Sequence, residues 1–224
     1  MKAMILAAGL GKRLGAITQT IPKPLVPVRG IPVIVRTIQL LASQGLRQII
    51  INASYRAEQL QQQIGDGQAW GVEVSWSLEQ QPLETGGGVC QALPLLGDEP
   101  FLAINGDVLW QLDLAPLIRG YDGNRMDALL GLVAAPEAGS GDFLLLPDGQ
   151  LQRGKGRPEA WTYSGIQILA PAPLRHYPVA PFSLNRYYDD SQQRHRLYGQ
   201  LLTGQWIDIG TPERLAQAEQ QWFV

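Results

Sequence analysis

The chain alternates short unbroken apolar runs with amphipathic stretches and glycine-rich breaks. Residues 2–8 hold Met4, Ile5, Leu6, Ala7 and Ala8 in succession, the pattern of a strand buried on both faces. Residues 9–27 are rich in glycine, basic residues and proline, and read as a loop. Pro32 suits the first turn of a helix, where its missing N–H costs nothing. That helix turns Val33, Ile34, Ile38 and Leu41 inward and stops at Gly45. A second buried strand follows over 47–53 around Ile49, Ile50 and Ile51, then an amphipathic helix over 57–64 closed by Gly65 and Gly67. Residues 72–78 alternate as a third strand, 88–96 read as a helix and 101–104 as another buried strand. Strands spaced by helices predict an α/β fold with a mostly parallel central sheet and helices on both faces.

The second half is less regular. Residues 128–134 read as a strand, and Phe143 to Leu146 with Leu151 predict a smaller β-hairpin around Pro147-Asp148-Gly149. Strands are expected over 161–169 and, on both sides of Gly204, over 197–209. Pro212 opens a last helix over 212–222 with Leu215 and Ala218 on one face. No repeat, linker or low-complexity segment intervenes, so residues 1–224 are expected to form one domain.

Composition narrows the classes of function. With 45% hydrophobic and 17% charged residues the chain can bury a core, which excludes disorder. A net charge of −2 provides no overall basic field for nucleic acid, so an anionic ligand must find local cations. Cys90 is the single cysteine, which rules out an intrachain disulfide and a cysteine-rich metal site and suits a reducing compartment. The apolar run at the start breaks at Gly9, short of the roughly 7–15 residues of a signal-peptide core. No run nears the roughly 18 apolar residues of a membrane span. A cytoplasmic protein without membrane or nucleic-acid partners is expected.

Gly9-Leu10-Gly11-Lys12-Arg13-Leu14-Gly15 follows the first strand directly, where doubly wound sheets bind their ligands. Glycines there let backbone N–H groups approach phosphate oxygens. Arg13 can grip a phosphate with two bonds, and Lys12 or Lys23 offers a point charge. A P-loop is excluded because Gly11-Lys12 is followed by Arg13. A dinucleotide fingerprint fails on glycine spacing, on the non-helical look of Thr18 to Pro24, and on the lack of any acid before Glu58. Pro22 and Pro24 fix the backbone around Lys23, which marks it as a positioned lysine.

Leu6-Ala7-Ala8-Gly9, Gly11-Lys12-Arg13-Leu14 and Pro22-Lys23-Pro24-Leu25 together resemble the signature of the sugar-nucleotide nucleotidyltransferases. The resemblance continues through Glu84-Thr85-Gly86-Gly87-Gly88, Asn105-Gly106-Asp107, Gly141-Asp142-Phe143, Thr162-Tyr163-Ser164-Gly165-Ile166 and Trp206-Ile207-Asp208-Ile209-Gly210-Thr211. It implies a Rossmann-like fold in which the hairpin belongs to the sugar-binding part. It implies a nucleotide held by Ala7, Ala8, Gly9, Gly11, Lys12 and Arg13, with Glu79, Thr85 and Gly86 at the base. Arg13 and Lys23 become the catalytic cations. Asn105, Gly141, Asp142, Ser164 and Gly165 would line the sugar side, and Asp107 and Asp208 would hold Mg2+. From the residues alone each aspartate is equally a turn or cap residue, and spacing does not bring them together. The family often carries Arg-Pro where this chain has Gly15-Ala16, which removes one phosphate-binding arginine.

The implied substrates are a nucleoside triphosphate and a sugar 1-phosphate, with UTP and N-acetylmuramate 1-phosphate as the expected pair and peptidoglycan recycling as the setting. Mannose, heptose or glucose 1-phosphate with GTP, dTTP or UTP stays open, as does a non-catalytic sugar-nucleotide sensor. The chemistry needs no base, because a phosphomonoester with a second pKa of about 6 is already a dianion at neutral pH. His176 and His195 fall outside every motif, in keeping with surface roles. Lys155, between Gly154 and Gly156, reads equally as a contact to the sugar phosphate or a solvated lysine. Trp161, Tyr163 and Trp206 are expected in the core.

Overall fold

The computed structural model describes residues 1–222. Its strands are β1 (Ala3–Leu6), β2 (Pro27–Val28), β3 (Ile31–Pro32), β4 (Gln48–Ala53), β5 (Glu73–Leu78), β6 (Phe101–Asn105), β7 (Val108–Leu112), β8 (Ala128–Val133), β9 (Phe143–Leu145), β10 (Leu151–Arg153), β11 (Thr162–Leu169), β12 (Leu197–Leu201) and β13 (Gly204–Asp208). Its helices are α1 (Ile17–Thr20), α2 (Val33–Ser43), α3 (Ala57–Ile64), α4 (Glu84–Leu96), α5 (Ala115–Gly120), α6 (Pro171–Leu174), α7 (Leu184–Gln193) and α8 (Pro212–Gln221).

The central sheet runs β12-β8-β11-β6-β1-β4-β5. Its pairs are parallel except around β11, which runs antiparallel to both neighbours. Alternation along each buried strand divides the core. Ala3, Ile5, Ile49, Ile51, Leu102 and Ile104 face one side, where α2 and α3 supply Ile34, Ile38, Leu41, Leu60 and Ile64. Met4, Ile50, Phe101 and Ala103 face the other, against Val89, Leu93 and Leu96 of α4 and Leu184, Tyr187 and Tyr188 of α7. Both faces are covered, which is why these strands read as continuous apolar runs.

Three local expectations are corrected. The segment expected to be loop contains a one-turn α-helix, α1, between two 3-10 turns at Lys12–Leu14 and Lys23–Leu25, and the Thr18 hydroxyl braces it by donating to the carbonyls of Gly11 and Gly15. Pro32 pairs with Pro27 in the short β2–β3 ladder, and α2 begins one residue later. Helix α4 begins at Glu84 rather than Gly88. Glycine occupies these helical positions because no side chain fits there: a Cβ would strike the Phe182 ring at Gly86 and the Ala180 carbonyl at Gly87. Unanticipated strand β7 pairs with β13 as a separate ribbon, with Asp208 opposite Val108. Behind it, Val28, Val33, Leu109, Ile209, Ala218 and Trp222 form a small third cluster that seats α8.

Candidate active site

A buried chain of hydrogen bonds ties together the ends of three adjacent strands. The Ala7 N–H, just past β1, donates to Asn52 Oδ1 at 2.8 Å. Asn52 Nδ2 donates to Glu79 Oε1 at 2.7 Å, and the Leu83 N–H donates to Glu79 Oε2 at 2.9 Å. Each polar side-chain atom in this relay has a partner, which makes it rigid. Burial pushes the Glu79 carboxyl above its ordinary range, opposed by the bonds from Leu83 and Asn52. Gly88 leaves room for the relay, since a Cβ there would lie 2.6 Å from both Asn52 Nδ2 and Glu79 Oε1.

This relay fixes where the glycine–basic loop departs. Gly11 takes a left-handed φ of 64°, which glycine adopts without strain, and Thr18 closes over it. Lys12 and Arg13 are exposed on the resulting turn. Lys23 is only 7% exposed, and its Nζ lies 2.5 Å from Asp107 Oδ2.

Three connected compartments open above the sheet. The largest, about 440 Å³, is walled by residues 6–13, Lys23, Asn52, Glu84 and Thr85. A second, about 270 Å³, brings together Arg13, Asp107, Asp142, Asp208 and Arg214. The third, about 250 Å³, lies between Thr85, Asp142, Arg153, Tyr163 and Asn185. Asn105 and the neighbourhood of β6 join them, because Asn105 lines all three. Volumes of this size suit small organic ligands.

The β7–β13 ribbon brings Asp107 and Asp208 to the same compartment: the Ile209 N–H donates to the Asp107 carbonyl at 3.1 Å. Arg13 reaches the same place, for a Cβ on Gly210 would lie 2.8 Å from Asp208 Oδ1 and 3.1 Å from an Arg13 guanidinium nitrogen. Two carboxylates on one wall suit a hard dication that keeps water and phosphate oxygens as its other ligands. Among the described residues no group of three or more His, Cys, Asp or Glu offers a fuller protein cage. Both carboxylates carry counter-cations here, Lys23 on Asp107 and Arg214 on Asp208.

The residues singled out from sequence divide into those that line the cavity and those behind it. Ala7, Ala8, Gly9, Gly11, Lys12, Arg13, Lys23, Thr85, Asn105, Asp107, Asp142, Gly165 and Asp208 line it. Glu79, Gly86, Gly141 and Ser164 are outside the lining of all three compartments. Glu79 supports the relay, Gly86 seats Phe182, and Gly141 abuts the Ala160 carbonyl. The Ser164 hydroxyl donates to the Gly131 carbonyl at 2.8 Å. Lys155 is exposed and outside the lining, as are His176 and His195. Trp206 packs against the core yet also faces the second compartment, held by its Nε1 donating to the Ser164 carbonyl at 2.7 Å. Tyr163 likewise faces two compartments, and burial pushes its hydroxyl well above the ordinary value. Sequence reasoning missed Asn52, Arg153 and Arg214. Arg153 lies 4.8 Å over the Phe143 ring and bonds Asp189 and Asn185.

A glycine–basic loop at the strand ends thus opens toward two carboxylates. Residues 2–140 match the model of the nucleotidyl transferase family, and the chain belongs to that family. It is similar over its length to the N-acetylmuramate alpha-1-phosphate uridylyltransferase of Neisseria meningitidis serogroup B, with 38% identity across 98% of this chain and 97% of that one. It is 29% identical to the mannose-1-phosphate guanylyltransferase catalytic subunit beta of Danio rerio, across 95% of this chain and 62% of that one. Among solved structures, HddC from Yersinia pseudotuberculosis complexed with GMP-PN superposes with a TM-score of 0.84 at 28% identity, covering 98% of each chain. Among the described residues no helix is long and apolar enough to cross a membrane.

Proposed function

We propose that this chain transfers a uridylyl group from UTP to N-acetylmuramate 1-phosphate, releasing pyrophosphate and forming the UDP-sugar. Residues 1–224 act as one catalytic domain with magnesium as the cation, in the cytoplasm, in the recycling of peptidoglycan. The observation that carries this reading is the junction at Asn105, where a loop-walled compartment meets a charged one and a polar one. That layout suits a triphosphate, a reacting centre and a sugar in sequence. The near full-length similarity to the Neisseria enzyme supports this choice of substrates.

In this reading the loop N–H groups around Gly9 and Gly11, with Lys12 and Arg13, hold the triphosphate. Thr85 borders both the nucleotide and sugar compartments, and Asn105, Asp142 and Gly165 orient the sugar. The sugar phosphate is a dianion at neutral pH and attacks the α-phosphorus directly, so no side chain has to remove a proton. The protein's task is to align two anions that repel each other and to neutralise the departing pyrophosphate. Arg13 and Lys23 carry out that neutralisation. Asp107 and Asp208 would hold the cation, which would supply further neutralisation of phosphate charge.

A second reading, guanylyl transfer to mannose 1-phosphate, is favoured by the Danio rerio relative and by the GMP-PN complex of HddC. Pyrophosphate release decides between them, with four triphosphates crossed against N-acetylmuramate, N-acetylglucosamine, glucose, mannose and heptose 1-phosphates. Fastest turnover is expected for UTP with N-acetylmuramate 1-phosphate. A clear preference for GTP with mannose 1-phosphate would replace this assignment, and binding without turnover of any pair would make the chain a sensor.

A further inference from the structure

Arg214 is an unexpected neighbour for a cation-binding carboxylate. It sits in the first turn of α8, after the Gly210-Thr211-Pro212 turn, and its guanidinium pairs with Asp208. The N-terminal end of a helix carries partial positive charge and disfavours cations. Helix stability therefore does not explain an arginine at this position, whereas the carboxylate it reaches does. The pair faces the compartment that also holds Arg13, Asp107 and Asp142. Lys23 holds Asp107 in the same way. Asp142 is engaged elsewhere, accepting from the Tyr163 N–H at 2.9 Å. Both carboxylates of the candidate cation site are thus paired with cations of the protein itself.

We propose that Arg214 is a positioning residue that guards Asp208: it holds the carboxylate while the site lacks nucleotide and yields it when the triphosphate enters with its divalent cation. The inference rests on the reading of Asp107 and Asp208 as the cation site. A bare dication must displace two internal cations that have no better partner, so it binds weakly. A triphosphate changes that balance, because its oxygens give Arg214 and Lys23 new anionic partners while the dication takes the carboxylates. Cation and nucleotide then bind interdependently, each raising the affinity for the other by the same factor. Arg214 is also delivered to the phosphates at the moment they need neutralising.

The test is Mn2+ binding, read by the electron paramagnetic resonance of free Mn2+, with and without a non-hydrolysable UTP analogue. In the nucleotide-free protein Arg214→Gln is expected to tighten Mn2+ by about two- to fivefold, the scale of one partly exposed ion pair removed from competition. The mutual enhancement between Mn2+ and nucleotide should shrink by at least as much. Arg214→Lys, which keeps the charge, should behave as the wild type. Adding Asp208→Asn to Arg214→Gln should abolish the gain. Unchanged or weaker Mn2+ binding in Arg214→Gln, with circular dichroism showing a folded protein, would overturn the proposal. Loss of transfer with every substrate pair would instead sink the functional reading, and the Mn2+ comparison does not depend on turnover.

Discussion

The nucleotide loop and the charged compartment beside it are built on opposite principles. The loop hangs from a buried, uncharged-to-charged relay in which each polar atom already has its partner, from Ala7 through Asn52 and Glu79 to Leu83. Its own cations, Lys12 and Arg13, join no ion pair among the described residues. For the carboxylates of the charged compartment the opposite holds: Asp107 is already paired with Lys23, which lines the loop-walled compartment, and Asp208 with Arg214. In the proposed function, one region is ready for an anion and the other exchanges partners before it acts. On that proposal, rigid support is thus concentrated under the nucleotide and charge rearrangement at the reacting centre.

The contrast can be tested by substitution. Asp107→Asn removes a carboxylate from the exchanging region and leaves Lys23 without its partner. A fall in kcat of about a thousandfold is expected, with a higher magnesium requirement, from initial rates over a magnesium series. Arg13→Ala removes a free cation from the ready region, and kcat/KM for UTP should fall about a hundredfold in the same assay. Gly88→Ala drives a Cβ into the relay and should lower stability by about 2 kcal/mol in urea unfolding, since the helix cannot shift without breaking a buried bond. Should Gly88→Ala leave stability unchanged, the relay is not the support described.

Glu79→Gln should have the smallest effect, about 1 kcal/mol, because the amide can accept from Leu83 or Asn52 but faces the other with a donor. Its pH dependence has a definite sign. The folded-state pKa of Glu79 is raised, so the folded protein takes up this proton at a higher pH than the unfolded chain. Glu79 therefore adds stability as pH falls from its raised value toward the ordinary carboxylate range, and loses that contribution as pH rises. Thermal melts of wild type and Glu79→Gln should diverge on mild acidification.

How much of this was legible depended on whether the determining contacts were local. Strands β1, β4 and β6 announced themselves because both their faces are buried. Lys23 stood out through its flanking prolines. The early start of α4 was hidden because a Gly86-Gly87-Gly88 run reads as a break, and only the distant Phe182, Ala180 and Asn52 explain it. The meeting of Asp107 and Asp208 was implied by resemblance alone, since it arises from the pairing of β7 with β13 across nearly a hundred residues. Asn52 had a usable signal, a polar residue near the end of a triple-isoleucine strand. Helix α7 had one too, with Leu184, Tyr187, Tyr188 and Ser191 buried at helical spacing behind an N-capping Ser183. Arg214 had none, because its partner is set by the turn that separates them. Glu79, Gly86, Gly141 and Ser164 show that a motif position can serve by supporting the wall behind a cavity.

The proposed function requires that this site align two phosphates for direct attack, with no side chain forming a bond to the transferred group. The most direct measurement uses UTP carrying a single stereochemically defined sulfur at the α-phosphorus, with the configuration of the UDP-sugar product read by phosphorus NMR. Inversion is the expected result, because one displacement occurs. Retention would contradict the claim, since it requires two displacements and hence a covalent nucleotidyl–protein intermediate.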